Sequence, residues 1–95
     1  FANGLPAGEG ALLAAIQRPL ATGVLGEASG APAWRAIPSW AVVGTADHVI
    51  PPAEQLFMAT RAHAHITKVH APHLSMISNP GLVTQVIVGA ARATG

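Results

Sequence analysis

One short apolar run constrains the fold of this chain more than any other stretch. Residues 40–43, Trp-Ala-Val-Val, are continuously apolar and end on two β-branched valines, which is typical of a parallel strand covered on both faces. Gly44 and Asp47 follow, and residues of these types mark the exit of a strand into a loop. The run therefore predicts a buried strand over about residues 39–44, with a carboxylate just beyond its carboxyl end.

A helix is predicted directly after this loop. Pro51 and Pro52 suit the first turn of a helix, where a missing N–H costs nothing, and residues 53–63 continue as that helix. A strand, a loop and a helix in this order form half of a βαβ unit. Since ligands and catalytic groups in open α/β sheets collect at the carboxyl ends of strands, Asp47 is a candidate site residue.

A second strand is predicted over residues 65–70, which alternate loosely and are rich in β-branched side chains. The helix between the two strands supplies the crossover that a parallel pair requires. We therefore predict an α/β fold class with two neighbouring parallel strands, at about 39–44 and 65–70, flanked by helices. His73 follows the second strand as Asp47 follows the first, so their backbones should lie about one strand spacing, about 5 Å, apart.

Helices are also predicted before this unit. Pro6 stands at a first helical position, and apolar residues recur at helical spacing until Pro19 ends or kinks the helix near Arg18. A second short helix is predicted from residue 19 to about residue 27, weakened by two glycines. Residues 28–38, with Ser-Gly and two prolines, are predicted to form a surface loop.

The end of the chain predicts two more helical segments. Residues 74–78 can form one short turn of helix before Asn79 and Pro80, which suit an N-cap and the first position of a longer helix. That last helix has one apolar face, formed by Val83, Val86, Ile87 and Ala90.

Composition limits the classes of function. Of the 95 residues, 51% are hydrophobic and only 9% are charged, against a usual charged share of about 25%. The five Lys and Arg residues are scattered and the formal net charge is +1, so nucleic-acid binding is not expected. No apolar run approaches the roughly 18 residues that span a bilayer. We expect no membrane association, no cofactor and a cytoplasmic location, although the absence of cysteine does not itself indicate a compartment.

The chain is expected to be part of a larger domain. A composition this apolar resembles the interior of a bigger protein, and a chain of this length buries only roughly 60–65% of its unfolded surface. Phe1 opens the sequence without a Met or a basic leader. We therefore expect a fragment whose sheet is incomplete.

The order of strand, Asp loop, helix, strand, His loop and terminal helix resembles the carboxyl-terminal part of an α/β-hydrolase fold protein. Within that fold the chain is similar to a group of bacterial hydrolases related to esterases, from about Ile37 to its end. The resemblance implies that residues 34–95 are a core segment and that residues 1–33 are the helical end of a lid region. The motifs that carry it are residues 37–52 (IPSWAVVGTADHVIPP), Phe57-Met58-Ala59, residues 73–80 (HLSMISNP) and, less specifically, Gln17-Arg18-Pro19.

The resemblance implies the acid role of a Ser-His-Asp triad for Asp47 and the general-base role for His73. A histidine that acts as general base must be neutral and held in one tautomer, and a buried carboxylate that accepts its Nδ1–H supplies both conditions. Local sequence alone also permits Asp47 as a turn or capping residue and His73 as one of five ordinary histidines. Pro72 departs from the family, which often has Gly or a small polar residue before this histidine.

The nucleophile of such a triad is not expected within these residues. α/β hydrolases place it in a Gly-x-Ser-x-Gly elbow, and Ser29 comes closest, with Glu27 and Ala31 where the glycines belong. We therefore expect the elbow and most of the oxyanion hole upstream, and this chain alone to be inactive. The expected partners are a small-molecule substrate and the remainder of the hydrolase chain. The serines without the elbow context are Ser29, Ser39, Ser75 and Ser78.

Two other function classes fit parts of the sequence. Imidazole suits zinc, and a His-x-His on a strand places both rings on one face, so a metal-binding segment is one alternative. A noncatalytic interaction module, in which Asp47 and His73 are structural remnants, is another. Hydroxynitrile lyases and cofactor-free haloperoxidases share the fold, so the esterase reaction is only the commonest expectation. The histidines of the cluster are His63, His65, His70 and His73.

Large apolar side chains are candidates for the core, or for a pocket that binds the acyl group of a substrate. The core is the commoner role for such residues at strand or helix spacing, and is favoured for Trp40 and Phe57. Met76 lies just beyond His73 and is the better pocket candidate. The full set is Trp34, Trp40, Phe57, Met58 and Met76.

Overall fold

The computed structural model describes all 95 residues, which form a small mixed α/β domain. Residues 16–39 contain turns and a single 3₁₀ segment, Ala33–Arg35, and the sheet lies entirely in the remainder of the chain. The elements in chain order are α1 (Ala7–Ala15), β1 (Trp40–Gly44), α2 (Pro52–Arg61), β2 (His65–Val69), α3 (Ser75–Ser78) and α4 (Pro80–Thr94).

The two strands form a parallel sheet. Trp40 pairs with His65 at one end and Gly44 with Val69 at the other, and α2 is the crossover between the strands. The predicted parallel pair is therefore confirmed, with each strand within one residue of its expected ends. Because the carboxyl ends of parallel strands lie at the same end of the sheet, the loops that follow β1 and β2 begin next to each other.

The core lies at the carboxyl ends of the strands. Val43 is 1% exposed and is the largest fully buried side chain. The other buried residues with apolar side chains are Ala59 of α2, Val69, Ala71 and Pro72. Full burial of a valine side chain contributes about 1.5–3 kcal/mol. The loops after β1 and β2 therefore start from the best-packed part of the molecule.

The amino-terminal helices are shorter than predicted. α1 ends at Ala15 rather than near Arg18, and residues 19–27 contain turns instead of the predicted second helix. Gly23 and Gly26 each cost about 1 kcal/mol in a helix relative to alanine, and residues 20–30 are exposed, so no burial offsets that cost.

The later helices follow the prediction more closely. α2 ends at Arg61, two residues early, because His63 adopts a left-handed conformation with φ of 52°. α3 and α4 lie where they are predicted, and Asn79 is the N-cap of α4. Its side chain does not bond to the helix; its Oδ1 accepts instead from the Ser78 hydroxyl at 2.8 Å. None of the helices has both the length and the apolar character of a membrane span.

Much apolar surface lies outside the core. Only seven of 95 residues are buried, and Phe57 is 62% exposed, so its predicted place in the core is wrong for this chain. Each strand also has one edge without a strand partner, since the sheet has two strands. Open strand edges and apolar patches both favour association with other chains.

We expect residues 1–95, expressed alone, to be poorly stable and to self-associate. The exposed apolar side chains and the open sheet edges supply the driving force, and the small core supplies little to oppose it. Light scattering and urea unfolding at low concentration measure both properties. A monomeric mass together with a cooperative unfolding transition would contradict the expectation.

Candidate active site

Backbone hydrogen bonds tie together the loops that follow β1 and β2. The N–H of Thr45 donates to the carbonyl of Val69 at 2.8 Å, and the N–H of Ala46 donates to the carbonyl of Ala71 at 3.2 Å. The pairing of the strands thus continues past their ends. It fixes the separation of the two loops on which the candidate side chains stand.

Gly44, the last residue of β1, allows the loops to approach closely. A Cβ atom at this position would lie 2.8 Å from the carbonyl oxygen of Ala71 and 3.1 Å from that of Pro72. Backbone oxygens cannot move aside as a flexible side chain can, so glycine is required here. Pro72 is itself buried, and a proline directly before His73 does not separate the histidine from Asp47.

The structure brings Asp47 and His73 together. Asp47 is 6% exposed, and its Oδ2 lies 2.9 Å from Nδ1 of His73. An ionised carboxylate only accepts hydrogen bonds, so Nδ1 carries the proton and the lone pair of the neutral ring is on Nε2. The His73 side chain is 32% exposed against 3% for the Asp47 side chain, so the imidazole is the accessible member of the pair.

The second oxygen of Asp47 is held by its own loop. Oδ1 accepts from the backbone N–H of Val49 at 2.7 Å and from that of Ile50 at 3.2 Å. This is the turn geometry that aspartate side chains commonly stabilise. The local turn role and the contact with His73 therefore coexist, one on each oxygen, and the turn directs the other oxygen toward the histidine.

Gln55 of α2 also binds Asp47, and sequence reasoning missed it. Its Nε2 donates to Asp47 Oδ2 at 2.8 Å and to the carbonyl of Ile50 at 2.7 Å, while its Oε1 accepts from the Gly44 N–H at 3.2 Å. A usable signal was present: Gln55 stands one turn before the buried Ala59, so both lie on one face of the helix. A polar residue on a buried face needs partners.

The surroundings of Asp47 lower its pKa below the ordinary value. Burial by itself raises this pKa, because it disfavours the charged form. The hydrogen bonds from the Val49 N–H, from His73 and from the Ile50 N–H, with the positive charge of a protonated His73, together outweigh burial. The carboxylate is therefore ionised at neutral pH, as the partner of a general-base histidine must be.

We expect the contribution of Asp47 to stability to disappear in acid. Because its pKa is lower in the folded chain than in the unfolded chain, the carboxylate stabilises the fold above the ordinary pKa of about 4. That stabilisation is lost as the pH falls through the lower folded value. Urea unfolding of the protein and of Asp47→Asn should show a difference in free energy that narrows in acid. A difference that stays constant or widens would contradict this.

The amino-terminal segment packs beside His73. The Phe1 ring meets the His73 ring edge-on, with centroids 5.0 Å apart, and the N–H of Leu74 donates to the Phe1 carbonyl at 3.2 Å. Asn3 Nδ2 donates to the carbonyl of Ala46 at 2.7 Å. The first residues thus contact both the His loop and the Asp loop.

A mostly apolar cavity of about 330 Å³ adjoins this contact. Two of its wall residues adjoin His73. Phe1 contacts the His73 ring, and Leu74 is the next residue in the chain. None of the five residues considered as pocket candidates from the sequence lines it. Its wall is formed by Phe1, Ala2, Gly10, Leu13, Ala14, Gln17 and Leu74.

The other histidines of the cluster are dispersed. His65 stacks on Trp40 with ring centroids 4.8 Å apart, and His70 Nδ1 lies 3.4 Å from the Thr45 hydroxyl. No three or more His, Cys, Asp or Glu side chains converge in a way that could hold a metal ion. The short sequence spacing therefore does not produce a common site.

The serine hydroxyls make no hydrogen bond to His73. Ser39 donates to the carbonyl of Ile37 at 3.1 Å, and Ser78 donates to Asn79 at 2.8 Å. Within these 95 residues the structure assembles an acid and a histidine, without a nucleophile beside them.

Comparison with known proteins gives no relative for this arrangement. The chain matches no family model, and no curated protein or solved structure is significantly similar to it. The functional argument therefore depends on the geometry of Asp47, His73 and their neighbours.

Proposed function

We propose that the chain is the carboxyl-terminal part of a serine-type α/β hydrolase related to esterases, with Asp47 as triad acid and His73 as general base. The observation that supports this most is the 2.9 Å contact between Asp47 Oδ2 and His73 Nδ1, made from loops after adjacent parallel strands. The acid precedes the histidine along the chain, as in that fold. Residues 34–95 then belong to the core and residues 1–33 to the end of the lid of a cytoplasmic enzyme.

In the proposed mechanism, Nε2 of His73 takes the proton of a serine hydroxyl as that oxygen attacks the ester carbonyl carbon. The imidazolium then gives this proton to the departing alkoxide, the alcohol leaves, and an acyl-serine remains. A water molecule attacks the acyl group in the same way and releases the acid. Asp47 stays ionised throughout, fixes the ring tautomer and stabilises the imidazolium.

The serine and the oxyanion donors belong to the remainder of the hydrolase chain in this proposal. The four serines of residues 1–95 lack the elbow context, and none hydrogen bonds to His73. The proton transfers above are therefore completed only when that remainder packs against the His73 loop.

The cavity beside His73 favours an uncharged ester with a small apolar group. Phe1, Leu13, Ala14 and Leu74 supply apolar surface, and no charged side chain lies in the wall. A volume of about 330 Å³ lies at the small end of ligand pockets, which span about 300–1,000 Å³. Short-chain esters fit such a space better than long-chain lipids.

Hydrolysis of short-chain aryl esters tests this proposal. The full-length protein should hydrolyse p-nitrophenyl acetate and butyrate well above the uncatalysed rate. Residues 1–95 alone should not exceed background, because a base without a positioned nucleophile and oxyanion donors forms no acyl intermediate. An inactive full-length protein would contradict the esterase proposal, and activity in the isolated chain would contradict the placement of the nucleophile.

A further inference from the structure

We propose that Gln55 is a positioning residue, whose side-chain amide holds the Asp47 carboxylate in the orientation that pairs with His73. Its catalytic consequence rests on the proposed function. Its effect on the Nδ1 proton of His73 is a property of the fold and can be measured without any substrate.

The orientation of the Gln55 amide is fixed by two backbone groups, one of which can only donate a hydrogen bond and the other only accept one. The backbone N–H of Gly44 can only donate, so it requires Oε1, and the carbonyl of Ile50 can only accept, so it requires Nε2. With the amide oriented in this way, the second N–H of Nε2 is directed at Asp47 Oδ2, 2.8 Å away. The strand end, the loop and the helix thus all specify the same amide orientation.

The amide completes the set of donors around the carboxylate. Oδ1 accepts from Val49 and Ile50, and Oδ2 accepts from His73 and Gln55, so each oxygen has two donors. Rotation of the carboxylate group would break bonds on both oxygens at once. Without Gln55, His73 would be the only donor to Oδ2. The carboxylate would then depend for its orientation on the same side chain that it has to orient.

Gln55 also satisfies a buried donor at the end of β1. Gly44 is buried, and its N–H donates to Gln55 Oε1. Leaving such a donor without a partner costs about 1–3 kcal/mol. One side chain therefore joins the last residue of the strand to the loop that carries the acid.

A neutral donor suits this position better than a charged one. A Lys or Arg here would neutralise the carboxylate, whose negative charge must stabilise the imidazolium that forms during the reaction. A Glu would place a carboxylate oxygen where the Gln55 nitrogen stands, 2.8 Å from Asp47 Oδ2, and like charges at that distance repel. An amide restrains Asp47 while its charge remains available to His73.

Gln55→Leu and Gln55→Glu in the full-length protein test the proposal, with Gln85→Leu and Gln85→Glu on the exposed face of α4 as matched controls. We expect both Gln55 variants to lower kcat by about 100-fold, the effect of a small misplacement of a catalytic group, with KM nearly unchanged. In ¹⁵N-histidine-labelled protein, the downfield Nδ1–H resonance of His73, assigned with His73→Gln, should weaken or disappear. The control variants should change neither quantity.

A folded Gln55→Leu variant that keeps kcat and the Nδ1–H resonance overturns the proposal, even if it unfolds at lower urea, because that pattern marks a purely structural residue. Gln55→Met keeps the length of the side chain and replaces Gln55→Leu if the latter does not fold. If the unsubstituted protein hydrolyses no ester, the proposed function fails, and the resonance alone then supports or overturns the role of Gln55.

Discussion

Replacement of His73 by alanine is expected to lower kcat/KM for short-chain aryl esters by at least about four orders of magnitude in the full-length protein. In the proposed mechanism Nε2 of this ring takes the serine proton, and no other histidine contacts Asp47. The side chain is partly exposed, so its loss should change stability far less than activity. Steady-state hydrolysis measures the loss, and circular dichroism shows that the variant still folds.

His70→Ala is the matched control for this prediction. His70 is the first residue after β2, and its ring contacts the Thr45 hydroxyl rather than Asp47. Replacement of His70 should therefore lower the activity far less than replacement of His73. The same is expected for His48, His63 and His65. If His70→Ala loses activity while His73→Ala retains it, the site assignment is wrong. If both retain it, the hydrolase proposal should be abandoned.

Asp47→Asn is expected to lower kcat by up to about four orders of magnitude. The loop can still hold the Asn oxygen through the N–H groups of Val49 and Ile50. The amide nitrogen then lies where Oδ2 stands and faces both Gln55 Nε2 and His73 as a donor. The hydrogen bond from Gln55 is lost, and the ring proton of His73 moves from Nδ1 to Nε2. A ring protonated at Nε2 cannot act as the base of the proposed mechanism, so activity should be lost. The fold should persist, because the hydrogen bonds from Val49 and Ile50 are kept.

Glu54→Gln provides the control for Asp47→Asn, because it removes a carboxylate of the same charge from an exposed position in the first turn of α2. It should leave kcat unchanged. The change of tautomer in Asp47→Asn is visible in the ¹⁵N shifts of His73. Retention of more than about a tenth of the activity by Asp47→Asn would contradict the acid role.

The part of the molecule that the sequence predicts best is the βαβ unit. Residues 40–43 are apolar on both faces, Pro51 and Pro52 precede the helix, and residues 65–69 repeat the strand signal, so short-range patterns are sufficient there. Parallel pairing then brings the two loop ends together without any further information. This is why the proximity of Asp47 and His73 could be anticipated from one sequence.

The features that the sequence did not predict depend on contacts between residues that no repeating local pattern connects. Gln55 acquires its role from Gly44, Asp47 and Ile50, which lie up to eleven positions earlier. The wall of the cavity includes Phe1, which packs on His73 from the opposite part of the chain. The predicted helix at 19–27 failed for the converse reason, since local apolar residues without burial do not offset the cost of glycine.

The rate at which a fluorophosphonate labels the full-length protein tests the central claim most directly, because this reaction needs an activated serine but no specific substrate. If His73 is the base and Asp47 its partner, the unsubstituted protein and His70→Ala should be labelled rapidly, one group per chain, at a serine outside residues 1–95. His73→Ala should react at least about 1,000-fold more slowly. Labelling of His73→Ala at the unsubstituted rate would contradict the account.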